Sequence, residues 1–252
     1  LDPMGFGNLV HAALERWGRG AAARTASGQP PETDPGAIER DLLAALDDLR
    51  AAGFVPELRG AFEVQLALAA ERLRAFARVQ ADWAARGWSV LHSELAFGGG
   101  PGQLAPPEIG SSGIRLTGRI DRVDVHPELG HAALDYKTSA EAADPATEHR
   151  TKDGEWKDLQ LPLYRVLLRS TGLEVGPGRL GYCSLPSNPS RTEIRLAEGW
   201  DAAIVAEAEA EAERIAALVA AGDFSGADSW LPKDRDPFAA VWCAGMRGLR
   251  AE

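Results

Sequence analysis

Apolar residues in the first third of the chain recur with the spacing of helices. Within residues 5–17 they lie three and four positions apart, on one face of an amphipathic helix. Residues 18–36 are rich in Gly, Pro and Ser and are predicted to form a loop. Two further helices follow, with apolar faces made by Ile38, Leu42, Leu43, Leu46 and Leu49, and by Phe62, Leu66, Ala69, Leu73, Phe76 and Trp83.

After Gly87 the hydrophobic period changes to that of strands. Alternation over residues 88–97 predicts a first strand, and residues 114–126 and 131–138 predict two more, joined by a short turn. The three strands are expected to form a meander. Residues 98–113 contain too much Gly, Pro and Ser for regular structure, and form either a long hairpin connection or a flexible surface excursion.

The remaining elements alternate between helix and strand. A helix is predicted over about 158–170, strands over 180–185 and 192–196, and a helix over 200–221, while residues 138–157 are polar and irregular. This order predicts a mixed sheet with helices packed against it, without an internal repeat. We expect one domain over 1–252, comprising a helical portion (about 5–86), a sheet core (about 88–196) and a C-terminal helix and tail (about 199–252).

Composition narrows the class of protein. The 252 residues are 45% apolar and 25% charged, and no apolar run approaches the roughly 20 residues of a membrane helix, so a transmembrane protein is not expected. Two cysteines, Cys183 and Cys243, exclude a disulfide framework and a four-cysteine metal cluster within this chain. No secretion signal is seen, which favours the cytoplasm. The start at Leu1 suggests a fragment of a longer protein.

The charge balance argues against binding nucleic acid by bulk electrostatics. The 27 basic and 37 acidic residues give a net charge of −10. The distribution is uneven and leaves room for a locally positive face. The acidic side chains of the last helix are Asp201, Glu207, Glu209, Glu211 and Glu213, and the basic clusters are Arg115, Arg119 and Arg122, and Arg150, Lys152, Lys157, Arg165 and Arg169.

Asp121, followed by Asp135-Tyr136-Lys137, is the most informative cluster. Side chains two apart on a strand share a face, so Asp135 and Lys137 project together, about 6–7 Å apart along the chain. If the preceding strand pairs antiparallel, the short turn brings Asp121 to the same place. Two carboxylates suit a hard cation such as Mg²⁺, and an amine beside them can orient water or stabilise negative charge.

An interpretation of the same residues without a functional role remains open. Asp135 and Lys137 are two apart, as in many surface ion pairs on edge strands. However, Asp121 interrupts a strand of buried type, where an unpaired charge is costly. This context favours a functional cluster over a surface ion pair.

Two helical pairs add further polar candidates. His11 and Glu15 lie four apart on the first helix, and Gln160 and Tyr164 lie four apart on the helix after the strands. Taken singly, His11 is typical of a hydrogen-bonded structural residue. Gln160 and Tyr164 are typical of a solvated helix edge and a core ring.

In order along the chain, these residues form a motif series. It comprises Gly7-x-x-x-His11, Glu94, Gly118-Arg119-Ile120-Asp121, Asp135-Tyr136-Lys137-Thr138 and Gln160-x-x-x-Tyr164. The series resembles that of RecB-type nucleases in the PD-(D/E)XK superfamily, most of all the C-terminal nuclease domain of AddB-like helicase-nuclease subunits. The resemblance covers about residues 5–185.

The resemblance implies an α/β restriction-endonuclease-like fold and Mg²⁺- or Mn²⁺-dependent hydrolysis of DNA. By motif position, the metal ligands would be His11, Asp121, Asp135 and the backbone carbonyl of Tyr136. Lys137 would be the catalytic lysine.

The remaining motif residues receive supporting roles from the same resemblance. Gln160 and Tyr164 would position DNA or support the site, and Arg119 would contact DNA. Glu94 would either assist the metal-water network or hold Lys137.

The chain departs from this family in its cysteines. Many AddB-like relatives carry a four-cysteine iron-sulfur cluster, with one cysteine before the histidine motif and three near the C-terminus. Here residues 242–246 contain Cys243 alone and no cysteine precedes His11, so no cluster is expected. Packing by Trp230, Phe238 and Trp242 is expected to hold the C-terminal tail instead.

The function expected from the resemblance is that of an exonuclease in recombination or double-strand break repair, supplied with DNA by a helicase domain or subunit. Two alternatives remain open, an inactive nuclease-like structural or DNA-guiding module and a stand-alone CRISPR-adaptation-type nuclease. The segment 140–157, which carries His149, Arg150, Lys152 and Lys157, either closes over the substrate or is a disordered loop.

Overall fold

A computed structural model describes residues 2–52 and 59–223 of the chain. Within them three helices come first, as the sequence predicts. The strands of a mixed sheet follow, with further helices between and after them. The helices are α1 (Pro3–Ala26), α2 (Pro35–Ala51), α3 (Arg59–Ala85), α4 (Pro145–Glu148), α5 (Gln160–Arg169) and α6 (Ala202–Ala221), with a 3₁₀ turn at Pro189–Arg191. The strands are β1 (Ser89–Phe97), β2 (Gly118–His126), β3 (Gly130–Lys137), β4 (Val175–Ser184) and β5 (Glu193–Leu196).

Helix α1 is longer than predicted. The loop expected over residues 18–36 is wrong in its first part, because the helix continues to Ala26. Gly18 does not end it. A Cβ atom at this position would lie 2.6 Å from Ser93 Oγ, so the glycine permits α1 to lie close against β1. A loop-like composition therefore marked a helix-sheet contact.

The five strands form one mixed sheet in the order β1-β2-β3-β4-β5. β1, β2 and β3 pair antiparallel as the predicted meander, β4 lies parallel to β3, and β5 lies antiparallel to β4. Helix α5 makes the crossover between the parallel strands. β2 begins at Gly118, later than predicted, and β4 begins at Val175, earlier than predicted. The α/β fold with a mixed sheet between helices is confirmed.

Each face of the sheet has its own apolar cluster. Along β3, Ala132, Leu134 and Tyr136 pack with helices α1, α2 and α3, whereas Ala133 packs with α5 on the opposite face. This alternation follows from the two-residue period of a strand. By the same period Asp135 and Lys137 point to the α5 face, where β3 ends.

An ion pair lies inside the α1-α3 layer. Arg122 is fully buried and donates to Asp124 at 2.7 and 2.6 Å and to Gln80 at 2.7 Å. Trp83 donates its indole N–H to Asp124 at 2.7 Å. Arg122 is one of the basic residues that the sequence places in a possible positive face. It does not contribute to a positive surface. Its charge is neutralised in the core.

The three arginines of the second basic cluster are also neutralised. Arg150 pairs with Glu207, and both Arg165 and Arg169 pair with Glu209. The acidic helix α6 thus supplies glutamates that follow their arginine partners by 40 or more positions in the sequence. These arginines hold α6 in place.

The remaining sequence expectations concern the two cysteines, the C-terminal tail and membrane helices. Cys183 is buried among apolar side chains. Cys243 and the proposed clasp of Trp230, Phe238 and Trp242 lie outside the described residues. No helix in residues 2–52 and 59–223 is both long and apolar enough to cross a membrane.

Arg122→Met should lower the free energy of unfolding by about 3–5 kcal/mol, because it leaves the buried Asp124 carboxylate without its cation. Urea denaturation followed by circular dichroism measures the difference. Arg191→Met is the matched control. Its partner Glu141 is 75% exposed, and the loss should stay below about 1 kcal/mol. Equal losses in the two variants would contradict the role assigned to the buried pair.

Candidate active site

Two carboxylates meet where β2 and β3 stop pairing. The last paired residues at this end are Arg122 and Leu134, and the same register continued by one residue puts Asp121 opposite Asp135. There the side chain of Asp121 replaces the backbone acceptor, and its Oδ2 accepts from Tyr136 N at 2.9 Å. The end of the ladder therefore holds Asp121 at the end of β3.

Glu94 extends this arrangement to a third strand. Ser93 pairs with Arg122 and Leu95 with Ile120, so Glu94 stands opposite Asp121. Its φ of 55° lies in the left-handed region, which is uncommon for a residue other than glycine and costs energy that the surroundings must offset. We call Glu94, Asp121 and Asp135 the carboxylate row.

Burial and mutual repulsion govern the protonation of the row. Burial first, and then the Asp135 charge, raise the pKa of Asp121 to about 6 from 3.8. Burial first, and then the Asp121 charge, raise the pKa of Glu94 to about 7, although Arg119 lies 2.9 Å away and opposes the shift. The carboxylates are therefore held closer than their charges favour.

Asp135 is the most heavily bonded member of the row. Its Oδ2 lies 2.8 Å from Lys137 Nζ, and its Oδ1 accepts from Gln160 at 2.8 Å and from the Tyr164 hydroxyl at 2.9 Å. Only 6% of the Asp135 side chain is exposed, against 29% of the Lys137 side chain. The interpretation as a surface ion pair on an edge strand is wrong, because β3 is an inner strand and the carboxylate is buried.

The start of helix α5 places Gln160 and Tyr164 over Asp135. Asp158 Oδ1 accepts from Gln160 N at 2.7 Å and so caps the first turn. Gln160 Oε1 also accepts from Lys137 Nζ at 3.3 Å. The four-residue spacing of Gln160 and Tyr164 puts both side chains on the same carboxylate, which neither residue indicates by itself.

Helix α1 brings His11 to the row from the other side. His11 Nδ1 lies 3.8 Å from Asp121 Oδ2, and its ring meets the Tyr136 ring edge to face. Gly7, one turn earlier, faces Thr138, whose Oγ1 would lie 3.0 Å from a Cβ atom at this position. The glycine of the Gly-x-x-x-His motif thus permits the close approach that carries the histidine to the end of β3.

The predicted site residues lie in two connected groups. One group joins His11 and the main chain of Tyr136 to Asp121, and the other joins Lys137, Gln160 and Tyr164 to Asp135. Glu94 borders Asp121 on the outer strand. Arg119 is 61% exposed and reaches the row only through Glu94.

The side chains do not form a ready-made metal cage. In the part of the chain that the structure describes, no three His, Cys, Asp or Glu side chains stand close enough to hold a metal ion. Asp135 is directed at Lys137, Gln160 and Tyr164. The donor chemistry nevertheless fits a hard divalent cation, because adjacent carboxylates that repel one another are relieved by a positive ion.

Sequence reasoning missed Arg72 and Tyr182 beside the site, and it missed the contact between His149 and Tyr182. Arg72 donates to the carbonyls of Thr138 and Leu185, both at 2.9 Å, and so joins α3 to the ends of β3 and β4. Tyr182 lies under Lys137, and His149 bonds to Tyr182. His149 is fully buried, and Arg150 is paired with Glu207, so these two residues of the 140–157 segment pack against the rest of the fold.

Comparison with known proteins identifies a matching family. A family model of the PD-(D/E)XK nuclease superfamily matches residues 1–244, which is nearly the whole chain. A search of curated proteins finds no match.

Asp121→Asn should stabilise the metal-free protein at pH 8 by about 1–3 kcal/mol. Because the folded pKa of Asp121 is about 6 and its usual value is 3.8, the folded state binds more protons, and wild type loses stability as pH rises through this window. The asparagine can still accept from Tyr136 N and carries no charge. Urea denaturation with a chelator at pH 4.5 and pH 8 measures the gain, which should shrink at the lower pH.

Asp153→Asn is the matched control, since this aspartate is exposed and belongs to none of the motifs. It should leave stability unchanged at both pH values. A destabilising Asp121→Asn at pH 8, or a gain that does not vary with pH, would contradict the repulsion between Asp121 and Asp135.

Proposed function

Since this chain belongs to the PD-(D/E)XK nuclease superfamily, we propose that it is a Mg²⁺- or Mn²⁺-dependent deoxyribonuclease that hydrolyses phosphodiester bonds. One observation carries the proposal. Asp121 and Asp135 lie side by side at the end of two strands, and Lys137 lies 2.8 Å from Asp135. Acidic groups and an amine at one point of a sheet suit the hydrolysis of a negatively charged ester.

The finer assignment is to RecB-type nucleases, and within them to the AddB-like domain without an iron-sulfur cluster. The ordered motif series supports it, and so do the contacts of Gln160 and Tyr164 with Asp135. We further propose that residues 1–252 form one nuclease domain and that the protein acts in the cytoplasm. Its role would be exonucleolytic, in recombination or double-strand break repair.

The residues proposed to hold the metal are His11, Asp121, Asp135 and the main-chain carbonyl of Tyr136. A bound divalent ion supplies charge neutralisation and a nucleophilic water at neutral pH. Before metal binds, Lys137 and Tyr164 both contact Asp135, and the raised pKa of Asp121, about 6, keeps a proton on that carboxyl only at more acidic pH. Metal binding therefore requires Asp135 to loosen these contacts and, below that pH, Asp121 to lose its proton.

Lys137 is proposed as the catalytic lysine. Its ammonium group is partly exposed and next to a carboxylate, so a scissile phosphate bound at the row would lie beside it. There the ammonium stabilises the negative charge that grows on the phosphate. Gln160 contacts both Asp135 and Lys137 and keeps the two groups together.

Glu94 and Arg119 are proposed to serve the edge of the site. The Arg119 side chain is 61% exposed, so it is available to a DNA phosphate once it leaves Glu94. Because Arg119 lowers the pKa of Glu94 and burial raises it, departure of the arginine favours protonated Glu94, which can then exchange a proton with water near the row.

The charge distribution bears on DNA binding. The net charge is −10, and the arginines that face helix α6 are paired with its glutamates. We therefore propose that the isolated chain binds DNA weakly and that a helicase domain or subunit delivers the strand.

The alternative is a nuclease-like module that does not cleave DNA. Its support is that Asp135 is fully occupied by Lys137, Gln160 and Tyr164, and that no three ligating side chains converge within residues 2–52 and 59–223. The two proposals differ in whether a divalent ion can displace these contacts.

Lys137→Ala and Asp135→Asn should each reduce Mg²⁺-dependent cleavage of DNA at least about 100-fold, because one removes the cation beside the phosphate and the other a metal-holding charge. Release of nucleotides from end-labelled DNA measures the rate. The exposed residues of the 140–157 segment supply controls of the same kinds, Lys152→Ala and Asp153→Asn, which should cleave at the wild-type rate. Full activity in Lys137→Ala would identify a contaminating nuclease or a wrong site.

Mn²⁺ should bind Lys137→Ala at least as tightly as wild type, and Asp135→Asn at least about tenfold more weakly, since the lysine competes for the carboxylate. Isothermal titration measures both affinities, and anomalous scattering from Mn²⁺-soaked crystals locates the ion. An ion beside Asp121 and Asp135 supports the nuclease. Absence of Mn²⁺ binding in wild type would favour the inactive module.

A further inference from the structure

Three groups surround the ammonium of Lys137, and one of them belongs to none of the motifs. Asp135 Oδ2 lies at 2.8 Å and Gln160 Oε1 at 3.3 Å. The third is the aromatic ring of Tyr182, whose centroid lies 4.8 Å from Nζ. The face of an aromatic ring carries partial negative charge and attracts a cation at this distance.

Tyr182 belongs to β4 and is fixed by the sheet. It pairs with Asp135 in the parallel ladder between β3 and β4, and it is 1% exposed. The ring therefore lies beside Asp135 and forms the floor under the Lys137 side chain. Sequence pattern alone makes Tyr182 an ordinary apolar position of a strand.

A buried histidine anchors the hydroxyl end of the Tyr182 ring. The Tyr182 hydroxyl is bonded to His149 Nε2, and His149 Nδ1 lies 3.0 Å from the carbonyl oxygen of Asp158. A carbonyl only accepts, so Nδ1 carries the hydrogen, and Nε2 accepts from the tyrosine. Burial lowers the pKa of His149, which favours this neutral form.

The His149 ring also packs against aromatic side chains. The His149 ring contacts the Trp200 ring at a centroid distance of 5.7 Å, and Trp200 contacts Trp156 at 5.4 Å. His149 is fully buried. The series of hydrogen bonds from Asp158 through His149 thus ends at Tyr182, and the Lys137 ammonium lies over the face of the Tyr182 ring.

We propose that Tyr182 is a positioning residue for Lys137, with His149 as the anchor of its ring. Asp135 and Gln160 hold the ammonium on its polar sides, and Tyr182 closes the side toward the core. Without the ring, the ammonium, on a side chain 29% exposed, would swing toward water and leave the place where a phosphate binds. The consequence for catalysis rests on the proposed nuclease function, whereas the contact itself does not.

The contact can be measured without any activity. The chain has four lysines, Lys137, Lys152, Lys157 and Lys233, so protein labelled with [¹³C]lysine gives four ε-methylene signals in a ¹H–¹³C spectrum. Ring current should move the protons of Lys137 upfield, and Lys137→Ala assigns the signal. The shift should persist in Tyr182→Phe, which keeps the ring, and disappear in Tyr182→Leu, which does not.

Cleavage kinetics test the functional consequence. Tyr182→Leu should lower kcat about tenfold with KM for DNA unchanged, while Tyr182→Phe should stay within about threefold of wild type. Both variants lose the bond to His149, so a lower Tm in both is expected. Rescue of kcat by phenylalanine distinguishes positioning from a structural role, in which kcat would follow Tm.

Each outcome decides one question. A Lys137 signal without an upfield shift in wild type overturns the proposal, as does a shift that survives in Tyr182→Leu or an unchanged kcat in that variant. If Tyr182→Leu does not fold, Tyr182→Met replaces it, and the wild-type shift still tests the contact. An upfield shift in a wild-type protein that cleaves no DNA supports the contact and contradicts the nuclease function instead.

Discussion

Repulsion between two carboxylates at the end of the sheet organises this molecule. β2 and β3 cease pairing just where Asp121 and Asp135 face each other, and the neighbouring elements supply what the broken ladder lacks. Tyr136 N donates to Asp121, while Lys137, Gln160 and Tyr164 compensate Asp135. The raised pKa of Asp121 shows that burial and repulsion still exceed this compensation. Such a place favours a cation, and that preference links the fold to phosphodiester chemistry.

Two similar ion pairs on opposite faces of the sheet differ in their exposure to solvent. Arg122 and Asp124 are fully buried, with Trp83 and Gln80 completing their hydrogen bonds, and nothing in that network is available to a ligand. Lys137, in its pair with Asp135, is open to solvent on one side. A buried ion pair whose hydrogen bonds are all made stabilises the fold, whereas a partly exposed ion pair can exchange its partners. The difference arises from the layers that cover each face.

Net charge is a poor guide to this protein because charges neutralise one another across the tertiary structure. Helix α6 concentrates glutamates, and Arg150 and Arg169 pair with them. Around the carboxylate row, Arg119 is exposed and Lys137 is partly so, and both are available to the proposed substrate. An acidic chain with these two cations beside a carboxylate row is consistent with the proposal of a nuclease that receives its substrate from a partner.

The sequence by itself determined the order of the elements, the three-strand meander and the family. These depend on local periodicity and on motif order, both of which survive without coordinates. It could not separate Arg122-x-Asp124 from Asp135-x-Lys137, since equal spacing puts either pair on one face of a strand. Nor could it show that Gly18 lies inside a helix, or that Tyr182 lies under Lys137. Only tertiary structure decided these points, because burial and contact between distant residues depend on which layers pack together.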